Sequence, residues 1–119
     1  MNAMTPLAPP LGSLTDRVQL FKRDVSAEPE GGEITTYVPL ATVWARLRTL
    51  AARPAETADG RGVVLTHSAV LRYRTDFSPG DRLLYAGRKL EVIAAADLNG
   101  RRAYLSCTLS ESGLREQPG

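Results

Sequence analysis

The chain has 119 residues, of which 43% are hydrophobic and 24% charged, and its formal net charge is +2 at pH 7. These values are ordinary for one soluble globular domain, and the small net charge excludes a strongly basic, nucleic-acid-binding composition. The lone Cys107 excludes an internal disulfide and a cysteine cage for a metal. No apolar run approaches the roughly 20 residues of a membrane span, and residues 1–14 lack the pattern of a secretory signal.

The two ends of the chain differ from its middle. Residues 1–13 contain Pro6, Pro9 and Pro10, and because proline fixes φ and donates no backbone hydrogen bond, they predict an extended arm. Residues 111–119 are polar and contain glycine and proline, which is typical of a flexible tail. The sequence therefore predicts one folded domain over residues 14–110.

The folded part begins with a predicted hairpin. Residues 17–23 predict a first strand that ends at Asp24, and Gly31-Gly32 predicts a turn because glycine accepts positive φ without steric cost. Residues 34–38 are rich in β-branched and aromatic side chains, which indicates the second strand of the hairpin.

Residues 42–50 predict a further strand because their side chains alternate. Val43, Ala45 and Leu47 lie on one face, and the opposite face carries Trp44, Arg46 and Arg48. A helix is the competing interpretation, since alanine, arginine and leucine favour helices. We favour a strand because no helix cap precedes the segment.

The remaining segments complete an all-β pattern. Residues 53–62 predict a polar loop, and residues 63–74 predict a long strand with Leu65, His67, Ala69 and Leu71 on its inner face. A turn over 76–81, a hairpin turning at Gly87-Arg88, the Asn99-Gly100 turn and a last strand over 101–109 follow. The prediction is a small single-domain β-barrel of six or seven short antiparallel strands, with at most a short helix in a loop.

The sequence offers few groups for catalysis or for binding a cofactor. His67 is the only histidine, and its place on an inner strand face favours a hydrogen-bonded, partly buried side chain over a general base. Cys107 alternates with Leu105 and Leu109, which indicates a small core residue. The acids around Gly31 are typical of a solvated turn. We therefore expect no enzyme activity, no cofactor and no metal.

Two arginine pairs are the strongest candidates for a contact surface. Arg46 and Arg48 project from one strand face, and Arg72 and Arg74 project from another. If the two strands are neighbours, the four guanidinium groups either contact nucleic-acid phosphates or pair with acids of an adjacent subunit. A solvated sheet face is the competing interpretation.

Several segments, taken in order, resemble the phage head–tail joining (head-closure or stopper) family of siphophages and gene transfer agents. The resemblance covers residues 14–109 and is sharpest at Val43-Trp44-Ala45, at Thr66-His67 with Arg72-Tyr73, and from Asp81 through Arg88. These segments suggest structural roles. We expect the barrel core to be anchored by Trp44, Leu71, Tyr73, Leu83, Tyr85 and Val92.

The resemblance implies a virion component assembled in the bacterial cytoplasm, without a membrane partner. It implies a ring of six or twelve copies that lies below the portal and its adaptor, retains packaged double-stranded DNA and offers the tail an attachment surface. It also implies that residues 53–62 form a channel loop, with Arg53, Pro54, Glu56, Asp59 and Arg61 as its candidate residues. The alternative interpretation is a free-standing OB- or SH3-like nucleic-acid-binding module.

Overall fold

The computed structural model describes residues 13–111, which fold into six antiparallel strands that close into a barrel. The strands are β1 (Asp16–Ala27), β2 (Glu33–Glu56), β3 (Gly62–Arg72), β4 (Arg82–Tyr85), β5 (Arg88–Asp97) and β6 (Tyr104–Glu111), and a short 3-10 turn spans Leu98–Gly100. Their order around the barrel is β1-β2-β3-β6-β5-β4, and β4 pairs back with β1. The predicted all-β barrel is confirmed. The expected N-terminal arm lies outside the described residues up to residue 12, as does the expected tail from residue 112.

Strand β2 is far longer than the sequence predicts. The two strands expected at 34–38 and 42–50 are one strand of 24 residues. They are continuous because Pro39 lies at a register shift, where Leu20 pairs with Ala41 but Phe21 pairs with Pro39. A bulge tolerates proline, which donates no hydrogen bond to the sheet. Strand β1 also continues past Asp24, where the sequence predicted its end, as far as Ala27.

The core is built by the alternate side chains that point into the barrel. On β3 the expected inner face is buried, with Leu65, His67, Ala69 and Leu71 between 0 and 6% exposed. The other strands contribute in the same way, because successive side chains of a strand point to opposite faces. The central cluster consists of Val18, Leu20, Ala45, Ala69, Leu71, Phe77, Leu83, Leu90, Val92, Leu105, Cys107 and Leu109.

The connection between β3 and β4 joins strands that are not neighbours in the barrel. It carries two buried residues, Phe77 and Asp81, each 2% exposed, although the sequence predicts only a turn over 76–81. The Asp81 carboxylate accepts hydrogen bonds from the backbone N–H groups of Arg23 at 2.9 Å and Ser78 at 2.8 Å, and from Lys22 Nζ at 3.0 Å. Asp81 thus ties this connection to β1, at the point where β1 leaves the barrel.

The tight turns follow the glycine pattern, with one correction. The β4–β5 loop consists of Ala86 and Gly87, with φ of 51° and 82°, between the paired residues Tyr85 and Arg88. The turn is therefore at Ala86-Gly87, one residue earlier than predicted, because a two-residue hairpin loop of this kind requires positive φ at both positions. Strand β6 begins at Tyr104, after a loop in which the Asp97 carboxylate accepts from the backbone N–H of Arg102 at 2.9 Å.

Replacing Asp81 tests its role at the base of β1. We expect Asp81→Asn to lower the free energy of unfolding by about 2–4 kcal/mol, because it replaces the buried charged acceptor of three hydrogen bonds by a neutral one. Chemical denaturation of the full chain measures this change. Asp76→Asn is the matched control: its side chain is 49% exposed, so we expect a loss below about 1 kcal/mol. Equal losses in the two variants would contradict the assignment.

Candidate contact surfaces

The pairing of β2 with β3 brings arginines from both strands onto one outer face of the barrel. Arg46 pairs with Val70 and Arg48 with Ser68, while Arg72 lies at the end of β3. Arg48 and Arg72 are exposed and Arg46 is half-buried. Residues 42–48 and 66–72 contain no acid, so this surface is positive. Three of the four candidate arginines therefore share a surface.

Trp44 lies on the same outer face, which contradicts its predicted role as a core anchor. Its side chain is 52% exposed, and the guanidinium carbon of Arg17 lies 5.7 Å from the centre of its ring. The inner positions beside it are held by Val43 and Ala45, since alternation sends Trp44 outward with Arg46. We call the surface formed by Arg17, Trp44, Arg46, Arg48 and Arg72 the arginine face.

The other expected core anchors differ in how deeply they are buried. Leu71, Leu83 and Val92 are buried, at 0 to 1% exposed. Tyr73 and Tyr85 are only partly buried and pack against the edge of the core.

A groove of about 500 Å³ runs beside the arginine face, lined by Leu14, Val43, Trp44, Arg72, Tyr73 and Arg74. Arg74 differs from the other candidate arginines because it pairs with Asp76 through two hydrogen bonds, of 2.6 and 3.0 Å. This pairing lowers the pKa of Asp76 and raises the pKa of Arg74. Arg74 is therefore engaged within the chain.

The expected polar loop over residues 53–62 is a hairpin instead. Arg53, Pro54 and Ala55 pair with Leu65, Val64 and Val63, and β2 ends at Glu56. The segment contains proline and glycine, yet it pairs after a register shift between Thr49 and Arg53. Burial of Val63 and Leu65, at 5 and 6% exposed, packs the hairpin onto the body of the protein. The channel-loop candidates Arg53, Pro54 and Glu56 thus lie on a strand and are exposed.

The turn of this hairpin is tied to the barrel wall. Arg61 donates to both carboxylate oxygens of Glu91 on β5, at 3.2 and 2.7 Å, and this pairing raises the pKa of Arg61. Within the turn, the Thr57 hydroxyl donates to the Asp59 carboxylate and lowers the pKa of Asp59. A bidentate arginine–carboxylate pair also fixes orientation, so the turn is held against β5.

The far end of the β1–β2 hairpin is a second surface, where the sequence predicts only a solvated turn. Residues 24–37 contain Asp24, Glu28, Glu30 and Glu33 and no basic residue; we call this segment the acidic hairpin. It is two strands wide, since β4 pairs with β1 only at residues 19–21 and β3 pairs with β2 only from Ala45 onward. Its turn is closed by Gly31 and Gly32, with φ of 92° and 88°.

His67 is a buried, hydrogen-bonded histidine. It is 5% exposed, and its Nδ1 lies 2.8 Å from the Thr66 hydroxyl oxygen, which also accepts from the backbone N–H of Glu111 at 3.0 Å. Burial lowers the pKa of His67; Glu111 opposes the shift and Arg88 adds to it. Burial therefore favours the neutral form of this side chain.

The other reactive residue types offer no grouped chemistry. Cys107 is 1% exposed, and burial raises the pKa of its thiol to about 12. Among residues 13–111, no three histidine, cysteine or acidic side chains are grouped as a metal site would require. Within the same range, no helix is long and apolar enough to cross a membrane.

The described residues thus form a closed β-barrel with an arginine face and an acidic hairpin. The family model described as phage head completion protein matches residues 9–112. The chain therefore belongs to the phage head completion protein family, and it is a structural component of a virion that serves in head completion.

Solved structures share the fold. The solution structure of protein SF1141 from Shigella flexneri 2a superposes with a TM-score of 0.63 at 23% identity, covering 85% of this chain and 95% of that one. A chain of the virion of a native gene transfer agent particle superposes with a TM-score of 0.62 at 20% identity, covering 82% and 94%. No curated protein matches the sequence.

The buried His67 gives the fold a dependence on pH. Because burial holds the pKa of His67 below the ordinary value of a histidine, the unfolded chain binds this proton more readily. Stability therefore falls as the pH drops through the ordinary histidine pKa, about 6.5. We expect denaturation at about pH 7.5 and about pH 5.5 to show a larger loss for the wild-type chain than for His67→Gln. An identical loss in the two proteins would contradict this assignment.

Proposed function

We propose that this chain is a head–tail connector subunit. Its copies form a ring below the portal and its adaptor, retain the packaged DNA and provide the surface to which the tail attaches. Membership of the head completion family supports a place at the head, and the structural likeness to a chain of a gene transfer agent virion supports the shared fold. We propose six or twelve copies because a ring of either size would match the symmetry expected of the portal and the tail.

The observation that carries this proposal is the outward extension of the β1–β2 hairpin. The described molecule measures 60 × 30 × 26 Å, so it is elongated, and the extension leaves strand edges and apolar side chains in solvent. Val25, Ile34 and Val38 are between 39 and 47% exposed. Unpaired strand edges and exposed apolar residues are surfaces that a neighbouring chain covers. Such a shape suits a subunit whose structure is completed in an assembly.

The second hairpin, over residues 53–62, is our candidate for the channel-facing element. Because Arg61 pairs with Glu91, the turn of this hairpin is held against β5. We therefore propose that closure of the channel depends on the positions of six or twelve such hairpins around the ring axis. The exposed residues Arg53, Glu56 and Asp59 would then face the channel or a neighbouring hairpin.

Electron microscopy of particles made with and without this chain tests the connector proposal. We expect wild-type particles to show a ring of this barrel between the portal and the tail. Particles that lack the chain should have unsealed, tailless heads that lose their DNA, because no subunit closes the portal. The control is a strain in which the chain is restored from a plasmid. Wild-type particles with no density for this barrel at the junction would overturn the proposal.

A nucleic-acid-binding module is the second candidate function, and the arginine face favours it. An exposed tryptophan beside arginines is an arrangement on which bases stack and to which phosphates bind. A gel shift of the isolated chain with double- and single-stranded DNA at low and moderate salt separates the two functions. We expect no shift at micromolar protein. A shift that Trp44→Ala and Arg46→Ala abolish, and that salt weakens steeply, would favour the module instead.

A further inference from the structure

We infer that the acidic hairpin of one copy docks on the arginine face of the next copy around the ring. This inference rests on the proposed ring, because it names the surfaces through which the copies meet. The partner is a second copy of this chain. The contact combines ion pairs with the covering of exposed apolar side chains.

The acidic hairpin has the features of a docking element without a partner. In the segment 24–37 the four acids form no ion pair, since the salt bridges among residues 13–111 join Lys22 to Asp81, Arg61 to Glu91, Arg74 to Asp76 and Arg88 to Glu111. Val25 and Ile34 are 39 and 44% exposed. An isolated two-stranded hairpin is marginally stable in water, so a partner that covers it adds stability.

The arginine face has the complementary features. None of the four salt bridges among residues 13–111 involves Arg46, Arg48 or Arg72. Within this positive surface Trp44 is 52% exposed and lies beside Arg17. Tryptophan and arginine are the residue types that most often dominate binding energy at protein interfaces. Beside it, the groove of about 500 Å³ offers a concave place for a hairpin tip.

One chain cannot bring these two surfaces together. Glu33 precedes Trp44 by eleven positions on the same continuous strand β2, which separates them by about 35 Å at the rise of an extended strand. Opposite charges in solvent attract weakly beyond about 10 Å. The two surfaces therefore stay unpaired in the monomer, and each remains available to another molecule.

A second copy satisfies both surfaces at once. Every copy carries one acidic hairpin and one arginine face, at separate places on the molecule, so their contact is head-to-tail. A head-to-tail contact closes into a ring when the rotation from one copy to the next is a whole fraction of a full turn. DNA complements only the arginine face, and the acidic hairpin repels it. Residues 1–12 contain no charged side chain, so the N-terminal segment, which precedes the groove residue Leu14, complements neither surface by charge.

Charge reversal followed by charge exchange tests the contact. One variant, Glu28→Arg with Glu30→Arg, reverses the hairpin, and another, Arg46→Glu with Arg48→Glu, reverses the face. A third variant carries all four changes and so exchanges the charges. The control, Arg101→Glu with Arg102→Glu, makes an equal change on the exposed loop before β6. Thermal unfolding of each purified chain shows that it folds, and the amount of chain in purified particles measures assembly.

We expect each single-surface reversal to lower incorporation into particles by about tenfold or more, because like charges then face each other. The exchange variant should recover to within about threefold of wild type, and the control should match wild type. Folded exchange chains that fail to assemble would overturn the inference. So would a defect confined to the face reversal, which would assign that face to DNA, or loss of assembly on deletion of residues 1–12 alone.

A disulfide experiment locates the contact and separates this inference from the proposed function. In assembled particles, a chain with Glu30→Cys and Arg48→Cys should give crosslinked multimers on oxidation, whereas Glu30→Cys with Arg101→Cys should give none. A ring at the junction without the first crosslink would overturn the inference and leave the connector function standing. Absence of the ring itself would overturn the proposed function.

Discussion

The length of β2 is the constraint on which the rest of the structure depends. At about 3.3 Å per residue, a strand of 24 residues has a contour length close to 80 Å, more than the 60 Å length of the molecule. Its barrel neighbours β1 and β3 have only 12 and 11 residues. No small barrel accommodates such a strand, so both of its ends leave the wall. One end forms the acidic hairpin with β1, and the other forms the hairpin with β3. The register shifts near Pro39 and after Thr49 let the strand change direction.

Two charged contacts hold these two hairpins in place. Asp81 fixes the base of the β1–β2 hairpin by accepting from Arg23 and Ser78 backbone groups and from Lys22. Arg61 fixes the turn of the other hairpin against Glu91. A buried carboxylate with backbone donors rigidifies its surroundings, whereas the Arg61 pair is partly exposed and contributes mainly orientation. Contacts within the chain thus hold the base of one hairpin and the turn of the other.

The errors of sequence interpretation have identifiable physical causes. Trp44 was expected in the core because of its size, although the alternation of residues 42–50 already places it with Arg46 and Arg48. The proline and glycine content of residues 53–62 indicated a loop. Local propensity carries no information about the pairing of Arg53 with Leu65, which makes the segment part of a strand. Phe77 was missed because it lies in a turn-rich segment without periodicity. Each outcome was decided by pairing or packing with distant residues.

The sequence by itself determined the strand class, the inward residues of β3 and the glycines that close the turns, because period-two alternation and positive φ are local properties. The family resemblance was also readable from the residues, and the match over residues 9–112 agrees with it. Only the tertiary structure decided that β2 is one strand. It also decided that Asp81 binds the backbone of Arg23, 58 residues away, and that arginines of two strands share one face with Trp44. These features depend on strand register and barrel closure, which join residues far apart in the chain and leave no local signal.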